Sequence, residues 1–127
     1  LGDNDQAYLL ARAIQFFAPG IPQVYYVGML AGKNDLDFME RTKFGRNINR
    51  HNYTLEEIDR EVKRPVVQKL LELMRFRNSH KAFNIDGECI VENKGSKLKI
   101  TRKYDKHYAI LDADLKSHNF NIEYSKN

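Results

Sequence analysis

The stretch Gly45-Arg46-Asn47-Ile48-Asn49-Arg50-His51 holds the side chains that could grip a polar ligand. A guanidinium presents a fixed fork of donors and can bind a carboxylate and neighbouring hydroxyls together. Arg46 is therefore a candidate binding residue, although on residue type alone a surface arginine in a solvated loop is the plainer reading. Arg50 and His51 are expected to support such a site or to pack the loop. Tyr25 and Tyr26 could stack on a carbohydrate face, but within a buried strand they would be core. His51, His80, His107 and His118 are far apart and show no metal-ligand spacing, so they are read as surface or turn residues. Gly28, Gly32 and Gly45 lack the Gly-Lys-Ser/Thr ending of a phosphate-binding loop. Neither a metal nor a cofactor is expected.

The elements that must position these groups can be read from periodicity. Ala7, Leu10, Ala11, Ile14 and Phe17 fall at helical spacing over Asp5–Phe17, with Asn4 or Asp3 to cap the start and Pro19-Gly20 to stop it. Leu9, Ala13 and Phe16 add apolar surface on the other sides, which predicts a largely buried helix. Ile21-Pro22-Gln23-Val24-Tyr25-Tyr26-Val27 follows a helix breaker and is β-prone without strict alternation, as a parallel strand covered on both faces would be. Residues 28–52 form a long polar loop, within which Leu36–Thr42 can make one or two helical turns. Thr54-Leu55-Glu56-Glu57 has the spacing of a capping box, and the helix behind it runs to about Lys63. Pro65 fits the first turn of the next helix, with Val67, Leu70, Leu71 and Met74 on one face and Asn78-Ser79-His80 at its end.

From Ala82 the period changes to two. Cys89–Glu92, Lys97–Lys103, His107–Asp112 and Phe120–Tyr124 read as short antiparallel strands joined by hairpins, with one face wet. The basic stretch Lys94–Lys106 then supplies a solvated strand face, and Cys89 is a small apolar strand residue. A parallel strand at Ile21–Val27 needs parallel neighbours, and no other segment offers one. Residues 1–80 are accordingly expected to be the last helix–strand–helix portion of an α/β, (β/α)8 TIM barrel. Residues 81–127 are expected to be a small antiparallel β domain, whether complete or truncated. A whole barrel takes roughly 250 residues, about twice this length.

One block carries a family resemblance. Ala11-Arg12-Ala13-Ile14-Gln15-Phe16-Phe17-Ala18-Pro19-Gly20-Ile21-Pro22-Gln23-Val24-Tyr25-Tyr26 resembles the last barrel strand of the α-amylase superfamily. Its continuation Val27-Gly28-Met29-Leu30-Ala31-Gly32-Lys33-Asn34-Asp35, with Gly45–His51 and Lys63-Arg64-Pro65-Val66-Val67, is similar to the sucrose phosphorylase family. That resemblance implies a retaining glucosyl transfer from sucrose to phosphate, giving glucose 1-phosphate and fructose through a glucosyl-enzyme. It places the nucleophile, the acid and a stabilising aspartate on strands upstream of Leu1, so Asp35, Asp37 and Glu40 are not catalytic and the segment alone is expected to be inactive. It also matches Arg46 to an arginine at the floor of the glucosyl pocket, beside an aspartate from the upstream part. Related phosphorylases of sucrose 6'-phosphate or glucosylglycerate, an α-glucosidase or amylase-type hydrolase, and a non-catalytic sugar-binding module remain alternatives. A homodimer is left open.

The 21 Lys and Arg against 17 Asp and Glu give a net charge of +4, but the positive residues are dispersed, which argues against a nucleic-acid surface. No apolar run approaches the roughly 20 residues of a membrane span, and no signal peptide is visible. The single cysteine permits no internal disulfide, so a reducing, cytoplasmic setting is expected, and Asn52-Tyr53-Thr54 is read as a helix entry rather than a glycosylation site.

Overall fold

The computed structural model describes residues 3–126. In chain order the elements are α1 (Asp5–Phe17), α2 (Tyr26–Met29), α3 (Leu36–Thr42), a first 3-10 turn (Gly45–Asn49), α4 (Leu55–Glu61) and α5 (Pro65–Ser79). A second 3-10 turn (Lys81–Phe83) leads into β1 (Glu88–Lys94), β2 (Lys97–Tyr104), β3 (His107–Asp114) and β4 (Phe120–Tyr124). The helices start where the sequence supplies caps. Asn4 Oδ1 accepts the Ala7 N–H at 2.9 Å, and Thr54 and Glu57 complete a reciprocal capping box at α4.

Packing divides the chain into two units, one formed by the chain up to Pro22 and from Glu72 onward, the other by Gln23–Leu71. One boundary between the units falls inside α5.

In the first unit the strands form an antiparallel sheet in the order β1-β2-β3-β4. Its register sets Leu98 opposite Ala113, Ile100 opposite Leu111 and Arg102 opposite Ala109, so these residues share one face. Leu10, Ala13 and Phe17 of α1 join Ile100, Ala109, Leu111, Ala82 and Phe83 in the core, where the Phe17 and Phe83 rings meet edge to face at 5.0 Å. A fully buried side chain of this size contributes about 1.5–3 kcal/mol.

The inward position after Ile100 is taken by Arg102, which is 1% exposed. Its Nη1 donates to Phe17 O at 3.4 Å and Ala18 O at 3.0 Å, and its Nη2 to Asn84 O at 3.3 Å. Arg77 on α5 donates through Nε to Phe16 O and through Nη2 to Gly20 O, both at 2.8 Å. The last turn of α1 carries no basic residue of its own. These two guanidinium groups therefore satisfy its open carbonyls and face the negative end of its dipole. Burial, and after it the neighbouring Arg102 charge, lower the Arg77 pKa from its usual value.

Two expectations need correction in this unit. The basic stretch at Lys94–Lys106 is not wholly a solvated face, because Arg102 keeps step with Leu98 and Ile100. His80 and His107 are buried, each 6% exposed, rather than on the surface. Their rings hold main-chain oxygens near the end of the chain, with His80 Nε2 2.8 Å from Ser125 O and His107 Nδ1 3.2 Å from Lys126 O.

The second unit holds α2, α3, the first 3-10 turn, α4 and the start of α5, and its buried apolar side chains are Val27, Leu30, Val66, Val67 and Leu70. The parallel strand expected at Ile21–Val27 is absent. Residues 21–25 belong to neither helix nor strand, and Tyr26-Val27 open α2. A strand exists only where a neighbour takes its N–H and C=O groups. Among the described residues the four strands pair only with one another, so the segment has no ladder to join. The barrel portion expected over residues 1–80 is not visible within this chain. What is visible is a small antiparallel sheet with helices. Among the described residues no helix is long and apolar enough to cross a membrane.

Candidate substrate-binding loop

The loop that carries Arg46 is built on helix ends. Asp35 caps α3, its Oδ1 accepting the Phe38 N–H at 2.8 Å, and Lys43 closes α3 with a left-handed φ of 56°. The chain then enters the 3-10 turn Gly45–Asn49, which is tied back at two points. Asn47 Nδ2 donates to Thr42 Oγ1 at 2.8 Å, and the Asp35 N–H donates to Ile48 O at 2.7 Å. Arg46 lies within this turn, exposed, and its side chain makes no hydrogen bond or ion pair among the described residues. Arg50 follows directly, also exposed, with its N–H on Asn47 O at 3.2 Å.

His51 is held by both ring nitrogens. Nδ1 lies 2.8 Å from Asp35 Oδ2, and Nε2 lies 3.4 Å from Glu57 Oε1. Glu57 is at the same time the capping-box residue of α4, accepting the Thr54 N–H at 2.7 Å through its other oxygen. The bond to Asp35 raises the His51 pKa above its ordinary value of 6.5; partial burial opposes this and Glu57 adds to it. The same bond, followed by the Phe38 N–H, lowers Asp35 from 3.8, and the Thr54 N–H is the main cause that lowers Glu57 from 4.5.

Aromatic rings back this arrangement. The Tyr53 ring meets His51 edge-on at 4.6 Å, and the Tyr26 hydroxyl donates to His51 O at 3.0 Å. Gly32 lies so close to Tyr53 that an added Cβ would collide with its hydroxyl and stand 2.8 Å from Val27 Cγ1, so a larger residue there would force one of these side chains to shift. Partial burial raises the Tyr53 pKa, chiefly by desolvation.

Sequence reasoning selected Arg46, Arg50 and His51, and all three lie on this loop. It did not foresee the roles of Asp35 and Glu57 as anchors for the imidazole. Tyr25 and Tyr26, expected in a strand core, are 51% and 37% exposed. A groove of about 670 Å³ runs past Lys33, Asp35, His51, Glu57, Arg60 and Arg64, but Arg46 is not among its walls. Among the described residues no group of three or more His, Cys, Asp or Glu is placed to hold a metal ion.

No protein-family model matches the chain. Sucrose phosphorylase of Streptococcus mutans is 53% identical to it over 125 residues, which cover 96% of this chain and 26% of that protein. The chain belongs to the sucrose phosphorylase family. Sucrose 6(F)-phosphate phosphorylase of Thermoanaerobacterium thermosaccharolyticum is also 53% identical over 125 residues, covering 98% of this chain and 25% of that relative. A crystal structure of sucrose 6F-phosphate phosphorylase from Thermoanaerobacter thermosaccharolyticum superposes with a TM-score of 0.93 at 50% identity. It covers 99% of this chain and 25% of that one. The chain thus spans about a quarter of the length of these relatives.

Proposed function

We propose that this chain is the carboxy-terminal portion of a retaining phosphorylase that transfers the glucosyl unit of sucrose to phosphate. Arg46 then lines its glucosyl pocket. One observation carries the reading. The side chain of Arg46 is exposed and unpaired among the described residues, yet its turn is fixed by the Asp35 N–H and by Asn47. A guanidinium on a stiff support with open donors loses little freedom when it binds hydroxyls and a carboxylate. The bond-breaking carboxylates belong to the remaining part of the enzyme, and residues 1–80 would complete its barrel. Within that barrel residues 21–27 would gain the neighbours they lack here.

In the complete enzyme, phosphate and sucrose should yield glucose 1-phosphate and fructose. Arg46→Ala should lower kcat/KM for the glucosyl donor by about 2–4 kcal/mol, the usual cost of losing a buried charged hydrogen-bonding partner. Arg46→Lys should restore little of it, because an ammonium lacks the planar fork. Near-normal kinetics in Arg46→Ala would remove the arginine from the pocket. Equal identity to a sucrose 6(F)-phosphate phosphorylase favours one second reading, with that compound as donor, and parallel assays with both donors decide between them.

A further inference from the structure

The loop between α3 and α4 contains one imidazole, and it spans the amino-terminal caps of both helices. Asp35 uses three atoms at once: its N–H holds Ile48 O of the arginine turn, Oδ1 holds the start of α3, and Oδ2 holds His51. Glu57 likewise divides its two oxygens between the start of α4 and the other side of the same ring. Two carboxylates facing two ring nitrogens are best met by two N–H donors, which only the imidazolium supplies. The Tyr26 hydroxyl fixes the main chain of the same residue. We propose that His51 is a positioning residue for the Arg46 turn: as an imidazolium clamped between Asp35 and Glu57, it locks the two helix caps together. This rests on the reading that places Arg46 in the glucosyl pocket.

Loss of the second proton leaves one ring nitrogen presenting a lone pair to a carboxylate. The longer 3.4 Å contact to Glu57 is the one given up, since the 2.8 Å bond to Asp35 is the stronger. The other charged groups on this side of the ring are Asp37 and Glu61 against Lys33, Arg60 and Arg64, all along the same groove. They leave one net positive charge, but Asp35 and Glu57 are in direct contact with the ring and set its state. The direction of the shifts agrees: the imidazole is raised and both carboxylates are lowered.

The test uses the complete enzyme and two readouts. The first is hydrogen exchange at the Asp35 amide, which reports the bond to Ile48 O, followed in the wild type through the imidazole titration and in His51→Gln. A glutamine amide does not titrate, and both its donors sit on one nitrogen while its other atom is an acceptor oxygen. The second is KM and kcat for sucrose against pH. Because deprotonation releases Glu57, the ring no longer ties Asp35 and its turn to α4; protection at Asp35 should therefore fall as His51 deprotonates and be low at every pH in His51→Gln. KM should rise about tenfold with kcat less affected, the scale of one charge-assisted contact at a half-exposed site. Unchanged Asp35 protection across the wild-type titration would overturn the proposal, even if the variant failed to fold. If Arg46→Ala is kinetically silent while Asp35 protection still follows His51, the pocket reading fails and the clamp stands.

Discussion

Arg102 in the first unit and Arg46 in the second are the same side chain in opposite circumstances. Arg102 is enclosed in the sheet core, and its Nη donors are taken up by main-chain oxygens of Phe17, Ala18 and Asn84. Arg46 projects from a short 3-10 turn with its donors open among the described residues. The first arginine serves the fold: its Nη groups hold main-chain oxygens, and its Nε, which has no partner, is enclosed where no ligand reaches it. The second lies at the surface, and its donors stay open among the described residues. The surroundings differ in the same way: an apolar core around helix and sheet in one unit, helix caps and carboxylate–imidazole contacts in the other.

The sharpest way to break this comparison is to truncate both arginines. Arg102→Ala should destabilise the first unit by about 2–4 kcal/mol, because it leaves buried carbonyls unpaired and a space in the core. Arg46→Ala should change stability by no more than about 0.5 kcal/mol, as surface substitutions usually do. Denaturant titration of both variants measures the difference, and similar losses would erase the distinction. A smaller effect is expected from Thr54→Ala, which removes the capping hydroxyl of α4 and should cost about 1 kcal/mol. Hydrogen exchange should show that loss in α4 amides and not in β2 or β3.

The smallest effect is one of pH, since His51, Asp35 and Glu57 are all partly exposed. The His51 pKa is raised on folding, so its contribution is complete below its ordinary 6.5 and is lost as pH rises through the folded value. Asp35 and Glu57 are lowered, so theirs is complete above 3.8 and 4.5 and is lost as pH falls through the folded values. The loop should therefore be most stable between the ordinary values of Glu57 and His51. In Asp35→Asn the imidazole titration, followed by NMR, should move back toward 6.5; no movement would show that the contact is not formed.

Local signals were legible in the sequence and long-range acceptors were not. The bounds of α1, α3 and β4 and the capping box at Thr54 follow from periodicity and cap chemistry that act over a few residues. The alternation that placed Leu98 and Ile100 inward also placed Arg102 there, but its charge argued for the surface. The main-chain oxygens it meets at Phe17 and Ala18 lie 85 and 84 residues away, and no side-chain pattern announces them. His80 and His107 were read as surface or turn residues for the same reason, since each rests on a carbonyl of the chain's last residues. The strand expected at 21–27 is not formed within this chain, because strand formation is a property of pairs. Its sequence carries the preference, while the partner must come from elsewhere. The proposal for Arg46 rests on the family motif, since its residue type alone suits any solvated loop.

The grip of Arg77 and Arg102 on the end of α1 has one more consequence. Their acceptors are the carbonyls of Phe16, Phe17, Ala18 and Gly20, groups that every residue possesses. Exchanging the Ala18 side chain leaves that grip in place. Inserting one residue before it turns each later carbonyl by about 100° and advances it about 1.5 Å along the helix, out of the donors' aim. At this turn the protein measures length: it counts residues without reading what they are.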